Sequence, residues 1–392
     1  MDRFIYLDNS ATTEISEGAL NKYIEVSRSA WGNPSSLHSF GLTAERETDS
    51  ARRIILDSLG AGLDSEVIFT SSGSEANNLA IVGRALSKDR YRRGARIVTA
   101  LGEHASVTEP IKRAESLGLK VDYIPTKGGK LDTGALLSAL TPDVVLVSIM
   151  MVNNETGALY DVAAVSKMIR SRCPEAYLHV DATQSYMKVA FTKKSVGADM
   201  ITLSSHKIEG PKGVGALVVD KRIFKDRGLS PIILGGGQEA GLRSGTENVP
   251  GIAAFGEAVR LSLAARGENI AKMERLRSYL IERIKSDAAL AEISVTDPES
   301  HAPHILNLTL PGIKSETMLH YLSSEGIFVS SGSACSSNSA HASSALVAYG
   351  RSEAEADTSI RVSLSPRNTE EEIDALCSAL AAGLARLSRI RR

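Results

Sequence analysis

The apolar segment 144–151 constrains the fold of this chain more than any other stretch. Its residues are VVLVSIMM. An almost unbroken apolar run of this length is typical of a parallel strand that is buried on both faces, whereas a strand with one solvated face alternates apolar and polar residues. The segment therefore predicts a sheet that is covered by helices on both sides.

Strand-like and helical patterns alternate through the first 220 residues. Apolar strand patterns lie at 67–70, 96–99, 121–124, 177–180, 200–203 and 216–219, and helical patterns at 43–59, 79–86, 106–117 and 162–171. This alternation predicts βαβ units and a mostly parallel sheet, which binds ligands at the carboxyl ends of its strands. A long helical pattern from 250 to about 284 then leads to strands at 305–308, 327–329 and 360–364 and to helices at 315–323 and 370–387. We interpret this part as a second domain.

Composition excludes several classes of function. The formal net charge of the 392 residues is −1, which argues against binding to nucleic acid or to an anionic membrane surface. The chain contains no apolar run of about eighteen residues, and its first residues do not resemble a signal peptide. Cys173, Cys335 and Cys377 are far apart and odd in number, which is typical of a reducing compartment. We expect a cytoplasmic protein.

One lysine stands out in the segment 198–218, ADMITLSSHKIEGPKGVGALV. The pattern predicts a strand, a polar turn rich in glycine, and a second strand. A partly desolvated lysine has a lowered pKa and can form a Schiff base with an aldehyde cofactor, which would give Lys207 a catalytic role. The alternative is an ordinary solvated lysine at a strand end.

Polar residues follow several other predicted strands and are expected at the same edge of the sheet. They are His104, the run Asn153, Asn154 and Glu155, the pair Asp181 and Gln184, and Ser204 with His206. The turn SSGSEANN at 71–78 joins a strand to a helix, so its free amides and hydroxyls can hold a phosphate, although Ser74 and Glu75 could equally be an ordinary helix cap. A lysine, a carboxylate, an imidazole and a phosphate turn together fit a pyridine aldehyde phosphate.

These residues lie in motifs that resemble one family along nearly the whole chain. The motifs are YLDNSATT (6–13), WGNPSSLH (31–38), FTSSGSEANN (69–78), GEHASV (102–107), VNNETG (152–157), HVDATQ (179–184), LSSHKIEGPKGVGAL (203–217), LGGGQEAGLRSGTENV (234–249), SSGSACSS (330–337) and SIRVSL (359–364). In this order they resemble the long-loop cysteine desulfurases, class V aminotransferase relatives that depend on pyridoxal 5'-phosphate and supply sulfur for iron–sulfur clusters and other biosyntheses.

The resemblance implies a fold and a domain division. The fold is the α/β fold type I of pyridoxal phosphate transferases, with a mostly parallel seven-stranded sheet flanked by helices and a smaller α/β C-terminal domain. The large cofactor-binding domain would span residues 15–258. The small domain would comprise 1–14 and 259–392 and would carry the catalytic-cysteine loop at about 330–345.

The resemblance also implies a role for each site residue. Lys207 would form the Schiff base, Asp181 would partner the ring nitrogen, and His104 would stack on the ring and act in catalysis. The ring oxygen and substrate would lie near Asn154 and Gln184, and the phosphate near Gly73, Ser74, Ser204 and His206. Arg361 would bind the substrate carboxylate with Asn33 nearby. In the family a threonine of the RSGT motif reaches the phosphate of the other subunit, which corresponds to Thr246 and implies a homodimer.

Cys335 decides which reaction is expected. It lies in the small, polar segment SSGSACSSNSA (330–340), which predicts a mobile surface loop, although composition alone does not exclude an inert thiol. In the family the thiolate removes the sulfur of L-cysteine, leaving alanine and an enzyme persulfide. Either His104 or the substrate amine could take the proton of the thiol. The loop then delivers the persulfide to an acceptor, such as an iron–sulfur scaffold or a tRNA-thiolation protein, whose identity the sequence does not give.

Some features depart from the family or leave alternatives open. Ala240 stands where the long-loop enzymes usually have arginine, and the segment after Cys335 lacks their usual Glu-Pro and contains His341. His301 and His304 are spaced like two metal ligands, but no third ligand accompanies them and we expect no metal. A selenocysteine lyase, or another class V aminotransferase or lyase, would need the same cofactor but no nucleophilic thiol. A non-catalytic protein that keeps the fold without the cofactor is the third hypothesis.

Overall fold

The computed structural model describes residues 4–88, 95–331 and 343–389. The strands, numbered β1 to β13 in chain order, are Ile5–Tyr6, Ser65–Thr70, Arg96–Ala100, Lys120–Ile124, Val144–Met150, Tyr177–Asp181, Met200–Ser204, Gly215–Asp220, Ser294–Thr296, Ile305–Thr309, Ile327–Phe328, Ser330–Ser331 and Ser359–Ser363. The helices, numbered α1 to α14, are Glu17–Ser29, Ser39–Ser58, Gly73–Leu86, Ala105–Ser116, Thr133–Ala139, Val162–Arg172, Lys193–Val196, Lys221–Lys225, Val249–Ala264, Arg266–Ser286, Ser315–Ser324, Ser344–Tyr349, Glu353–Asp357 and Glu370–Arg389.

A seven-stranded sheet forms the centre of the molecule, in the order β2-β8-β7-β6-β5-β3-β4. The four pairs from β7 to β4 are parallel, while β8 runs antiparallel to both β2 and β7. Every residue of β5 is buried, as its apolar run predicts. The prediction of a mostly parallel seven-stranded sheet in an α/β fold is confirmed.

Helices cover both faces of this sheet and bury its apolar side chains. Val147 and Ile149 of β5 belong to one apolar cluster, and Leu146 belongs to another that also contains Ala76 and Ile81 of α3. Burial of this apolar surface is the main stabilising contribution to the sheet. The carboxyl ends of the parallel strands are thereby held in a fixed arrangement at one edge.

A smaller sheet has its own apolar core. Its strands are ordered β12-β13-β10-β9, and residues of α10, α11 and α14 pack against them. Leu7, near the N-terminus, joins this core, and β1 pairs in parallel with β11. Helix α9 crosses residue 258, where we predict the division between the two domains, and that division stays a prediction.

Two helices differ from their predicted bounds. The pattern from 250 to 284 forms two helices, α9 and α10, which meet at Ala265, where the backbone leaves helical geometry (φ −103°, ψ 5°). Helix α2 begins at Ser39 rather than at 43, since the His38 side chain accepts a hydrogen bond from the Gly41 amide and caps the first turn. In the described ranges, no helix is long and apolar enough to cross a membrane.

Candidate active site

A cavity of about 270 Å³ lies at the carboxyl ends of the central strands and brings together most of the predicted site residues. Its lining contains ten of them: Gly73, Ser74, His104, Asn154, Asp181, Gln184, Ser204, His206, Lys207 and Arg361. Residues from the N-terminal segment and from β13 complete the wall, so that both sheets contribute to the cavity. Binding at this edge is the general rule for such sheets.

Lys207 closes a short 3₁₀ turn, Ser205–Lys207, that directly follows β7. Its Nζ donates to the carbonyl oxygen of Ser10 at 2.6 Å and to that of Ala11 at 2.8 Å. The N-terminal segment therefore lies across the lysine and orients its amine. The sequence does not predict this contact, because the acceptors are backbone carbonyl groups, which every residue has.

Asp181 is the last residue of β6 and is buried with both oxygens held. Its Oδ2 accepts a hydrogen bond from Asn77 Nδ2 at 2.8 Å, and its Oδ1 accepts one from the Thr183 amide at 2.9 Å. Two fixed donors hold the carboxylate in one orientation in the cavity wall. An anionic group in this position can partner a protonated ring nitrogen.

His104 is the N-cap residue of α4, and its Nδ1 accepts from the Ser106 amide at 3.1 Å. Burial lowers the pKa of His104, and the positive charges of Lys207 and Arg361 add to this effect against the opposing charge of Asp181. The imidazole is therefore neutral at neutral pH. The hydrogen bond from the Ser106 amide fixes the orientation of the imidazole plane relative to the cavity.

The N-terminus of α3 and the end of β7 together supply a group of neutral residues, which we call the helix cluster: Ser72, Gly73, Ser74, Ser204 and His206. Ser72 caps the helix. A Cβ on Gly215, in the facing strand β8, would lie 2.4 Å from the carbonyl carbon of Ser72, so the strand backbone packs directly on the turn. Burial and the charges of nearby lysines lower the pKa of His206 to about 4. The cluster presents amides and hydroxyls, as a phosphate site requires.

Charged residues form the second group, the arginine cluster of Arg361, Asp8 and the Asn154 backbone. Arg361 Nη2 donates to Asp8 Oδ1 at 2.9 Å, and Nη1 donates to the Asn154 carbonyl oxygen at 2.9 Å. Burial raises the pKa of Asp8, partly offset by Arg361. Sequence reasoning missed Asp8, which lies in the motif YLDNSATT but is separated from Arg361 by more than 350 residues.

Gln184 bridges the N-terminal segment and the smaller sheet. Its Nε2 donates to the Ser10 carbonyl oxygen at 2.9 Å, and its Oε1 lies 3.4 Å from Nε2 of the buried His304. His301 instead contacts Glu274 at 3.1 Å. His304 thus supports the cavity wall, a role that its spacing from His301 does not suggest.

Comparisons with known proteins give one family. The model of the aminotransferase class-V family matches residues 5–376 of the chain. The chain belongs to the class-V aminotransferases. It is 40% identical to a NifS/IcsS protein homolog of Lactobacillus delbrueckii subsp. bulgaricus, with 96% of each chain covered. It is 36% identical to the putative cysteine desulfurase IscS 1 of Bacillus subtilis, with 98% of this chain and 99% of the relative covered.

Two solved structures share the fold. A NifS-like protein superposes with a TM-score of 0.89 at 33% identity and covers 98% of this chain and 100% of its own. A structure described as SspA in complex with cysteine has a TM-score of 0.78 at 32% identity, with 93% of this chain and 100% of its own covered. The family depends on pyridoxal phosphate in general, and the chain is an enzyme of this kind.

The residues of the cavity fit that cofactor. The helix cluster offers amides and hydroxyls but no acid, which suits a phosphate. A Cβ on Gly73 would lie 3.2 Å from Thr183 Oγ1 and 3.3 Å from Ser204 Cβ, so a side chain there would narrow the space between these groups. Lys207 and Asp181 provide the amine and the carboxylate that the aldehyde and the ring nitrogen require.

Three predicted residues do not lie in the cavity wall that the structure describes. Asn33 is exposed, and its Oδ1 accepts a hydrogen bond from the Ser35 amide at 2.9 Å. Thr246 is also exposed on the surface of the chain. Cys335 and most of the predicted loop fall at 332–342, outside the described residues. Their roles stay predictions.

Proposed function

We propose that this protein is a pyridoxal phosphate-dependent cysteine desulfurase that converts L-cysteine to L-alanine and transfers the sulfur as a persulfide on Cys335. The observation that carries the proposal is one cavity in which Lys207 and Asp181 lie together with Arg361. An amine, a fixed carboxylate and a guanidinium together suit an amino acid bound to an aldehyde cofactor. The relatives named cysteine desulfurase support the choice of reaction.

The residues of this chain would hold the cofactor from three directions. The helix cluster binds the phosphate, Lys207 binds the aldehyde carbon, and Asp181 keeps the ring nitrogen protonated. His104 covers the ring, while Asn154 and Gln184 lie near its oxygen. When bound, the cofactor supplies an electron sink for the carbon skeleton of the substrate.

Arg361 would bind the carboxylate of L-cysteine. The guanidinium is planar and always charged, so it binds carboxylates by paired hydrogen bonds. Asp8 and the Asn154 carbonyl oxygen hold its two terminal nitrogens in this structure. These contacts fix the direction from which the guanidinium approaches a substrate.

Cys335 would act as the sulfur acceptor of the first half-reaction. The carbon–sulfur bond of L-cysteine breaks and a sulfur–sulfur bond forms on Cys335. The thiol and L-cysteine become a persulfide and L-alanine with no other reactant, since the sulfur is oxidised while the β-carbon is reduced to a methyl group. A protein acceptor, either an iron–sulfur scaffold or a tRNA-thiolation protein, then receives the sulfur in the cytoplasm.

The active form would be a homodimer. The helix cluster contains no positively charged side chain, and large apolar side chains such as Leu37 and Trp31 are exposed on the described surface. Thr246 of one subunit would complete the phosphate site of the other. Light scattering of the purified protein gives its molecular mass and therefore its oligomeric state. Thr246→Val should weaken cofactor binding without dissociating the dimer.

The test is alanine release from L-cysteine by the purified, cofactor-loaded protein. Lys207→Ala should abolish it, because Lys207 is the one lysine in the described lining of the cavity, whereas the exposed Lys212→Ala should not change it. Cys335→Ala should keep the visible absorbance of the cofactor but lose at least about tenfold in rate. A wild-type rate in Cys335→Ala contradicts the persulfide role.

The same assay separates the alternative hypotheses. A substrate panel scored for sulfide, selenide and keto acid distinguishes a desulfurase from a selenocysteine lyase or a transaminase. A colourless protein that does not change on addition of pyridoxal phosphate contradicts the enzyme hypothesis altogether. Persulfide transfer to candidate acceptor proteins, followed by mass spectrometry, identifies the second half-reaction.

A further inference from the structure

Ser106 donates to one nitrogen of the His104 imidazole through its backbone. The Ser106 amide lies 3.1 Å from His104 Nδ1, in the first turn of α4. An amide group can only donate, so Nδ1 must accept and carries no proton in this arrangement. The proton of a neutral imidazole then resides on Nε2.

The hydroxyl of Ser106 points to the same conclusion. Asn77 Nδ2 lies 2.8 Å from Asp181 Oδ2 and 2.9 Å from Ser106 Oγ. Its two hydrogens are used by these two acceptors, and the contact with the Asp181 oxygen fixes which way the amide faces. Because Ser106 Oγ accepts from Asn77, its own hydrogen is left for His104 Nδ1, which is 2.8 Å away.

From these contacts we infer that Asn77 and Ser106 are positioning residues that fix His104 as the Nε2–H tautomer, which makes it a hydrogen-bond donor toward the substrate. The identity of the substrate, L-cysteine, rests on the proposed function, and the inference concerns the same site. The chain Asp181, Asn77, Ser106 and His104 links the carboxylate of the ring nitrogen to the imidazole that covers the ring. Each donor in it is used once.

The charges around His104 favour its neutral form. Burial is the main cause of its lowered pKa, Lys207 and Arg361 act in the same direction, and Asp181 opposes them. The one basic nitrogen of this tautomer is already engaged by Ser106. Of the two proton acceptors considered for the Cys335 thiol, His104 is therefore the one that this geometry disfavours.

Nitrogen-15 NMR of the cofactor-loaded protein with labelled histidine tests the inference directly. The His104 signals are identified by their loss in His104→Gln. At pH 7 we expect the chemical shift of a protonated nitrogen at Nε2 and of an unprotonated nitrogen at Nδ1. An Nδ1–H tautomer, or a doubly protonated ring, overturns the inference.

Ser106→Ala tests the contribution of the hydroxyl. Loss of its hydrogen bond to Nδ1 should raise the pKa of His104 and lower kcat by about twofold to tenfold with KM unchanged. Ser106→Thr keeps the hydroxyl and should restore both, and Ser116→Ala, at the exposed end of the same helix, should change neither. An unchanged His104 titration in Ser106→Ala contradicts a role for the hydroxyl.

The tautomer of His104 and the reaction with L-cysteine are tested by separate measurements. The tautomer is read from chemical shifts and does not require turnover. A protein with the Nε2–H tautomer but no alanine release contradicts the proposed function alone. Alanine release with the Nδ1–H tautomer contradicts the inference alone.

Discussion

The helix cluster and the arginine cluster line the same cavity but are built from different chemistry. The helix cluster consists of backbone amides, hydroxyls and a histidine whose pKa is lowered to about 4, so it is neutral at physiological pH. The arginine cluster depends on an ion pair between the buried Arg361 and the partly exposed Asp8. The first cluster therefore depends on close backbone packing, and the second depends on charge.

Arg361→Ala should give the largest change of any substitution in this comparison. Truncating one partner of a buried, hydrogen-bonded charge pair costs about 2–5 kcal/mol, which corresponds to about 30-fold to 5,000-fold in kcat/KM. Most of the loss should be in KM for L-cysteine, while cofactor occupancy stays near that of the wild type. Arg361→Lys should be intermediate, because it keeps the charge but not the paired hydrogen bonds.

The matched control is Arg367→Ala. Arg367 is half exposed and pairs with Glu14 and Glu209. Steady-state kinetics and the visible spectrum of each purified variant separate the two effects. Loss of cofactor in Arg361→Ala with an unchanged KM would contradict the assignment of the two clusters.

Gly215→Ala should affect the helix cluster instead. The added Cβ would meet the Ser72 carbonyl carbon at 2.4 Å and the Gly73 nitrogen at 2.7 Å, so the turn must move. Overpacking of this kind costs about 1–3 kcal/mol, and we expect a loss of roughly tenfold in cofactor affinity. Spectroscopic titration with pyridoxal phosphate measures it. Gly267→Ala has open space around its Cβ and is the control.

The sequence predicts the central sheet, the turn at 71–78 and the turn that follows β7, because each follows from a local pattern. The buried run of β5 and the strand–turn–helix at 71–78 each specify their own structure. The arginine cluster is less predictable, since Asp8 and Arg361 meet only through the packing of the N-terminal segment on β13. Sequence reasoning also misses Ser106, because a serine in the first turn of a helix is ordinary. It misses the Ser10 carbonyl group, because every residue has a backbone carbonyl group.

A smaller effect concerns Glu103, which belongs to neither cluster. It is buried, and Oε1 of its carboxyl group accepts a hydrogen bond from the Met150 amide at 2.8 Å. Burial raises the pKa of Glu103 well above its ordinary value. The folded protein keeps this proton at pH values where the unfolded chain has lost it, so the stabilising contribution is present at acidic pH and is lost as pH rises through the folded pKa.

Glu103→Gln removes this titration. Consider the pH range between the ordinary pKa of glutamate and the raised pKa in the folded protein. Over this range, the unfolding free energy of the wild type should fall relative to that of the variant by about 1.4 kcal/mol for each pH unit. Urea unfolding of both proteins across that range measures it, and the exposed Glu109→Gln provides the control. A pH-independent difference would mean that Glu103 is ionised in the folded state.

The most direct test of the desulfurase assignment is a single-turnover reaction of the cofactor-loaded protein with L-cysteine, analysed by mass spectrometry of the intact chain and of its peptides. We expect one added sulfur atom on the peptide that contains Cys335, one equivalent of alanine per persulfide, and neither product in Lys207→Ala. Alanine without a persulfide on Cys335, or a keto acid in place of alanine, would contradict it.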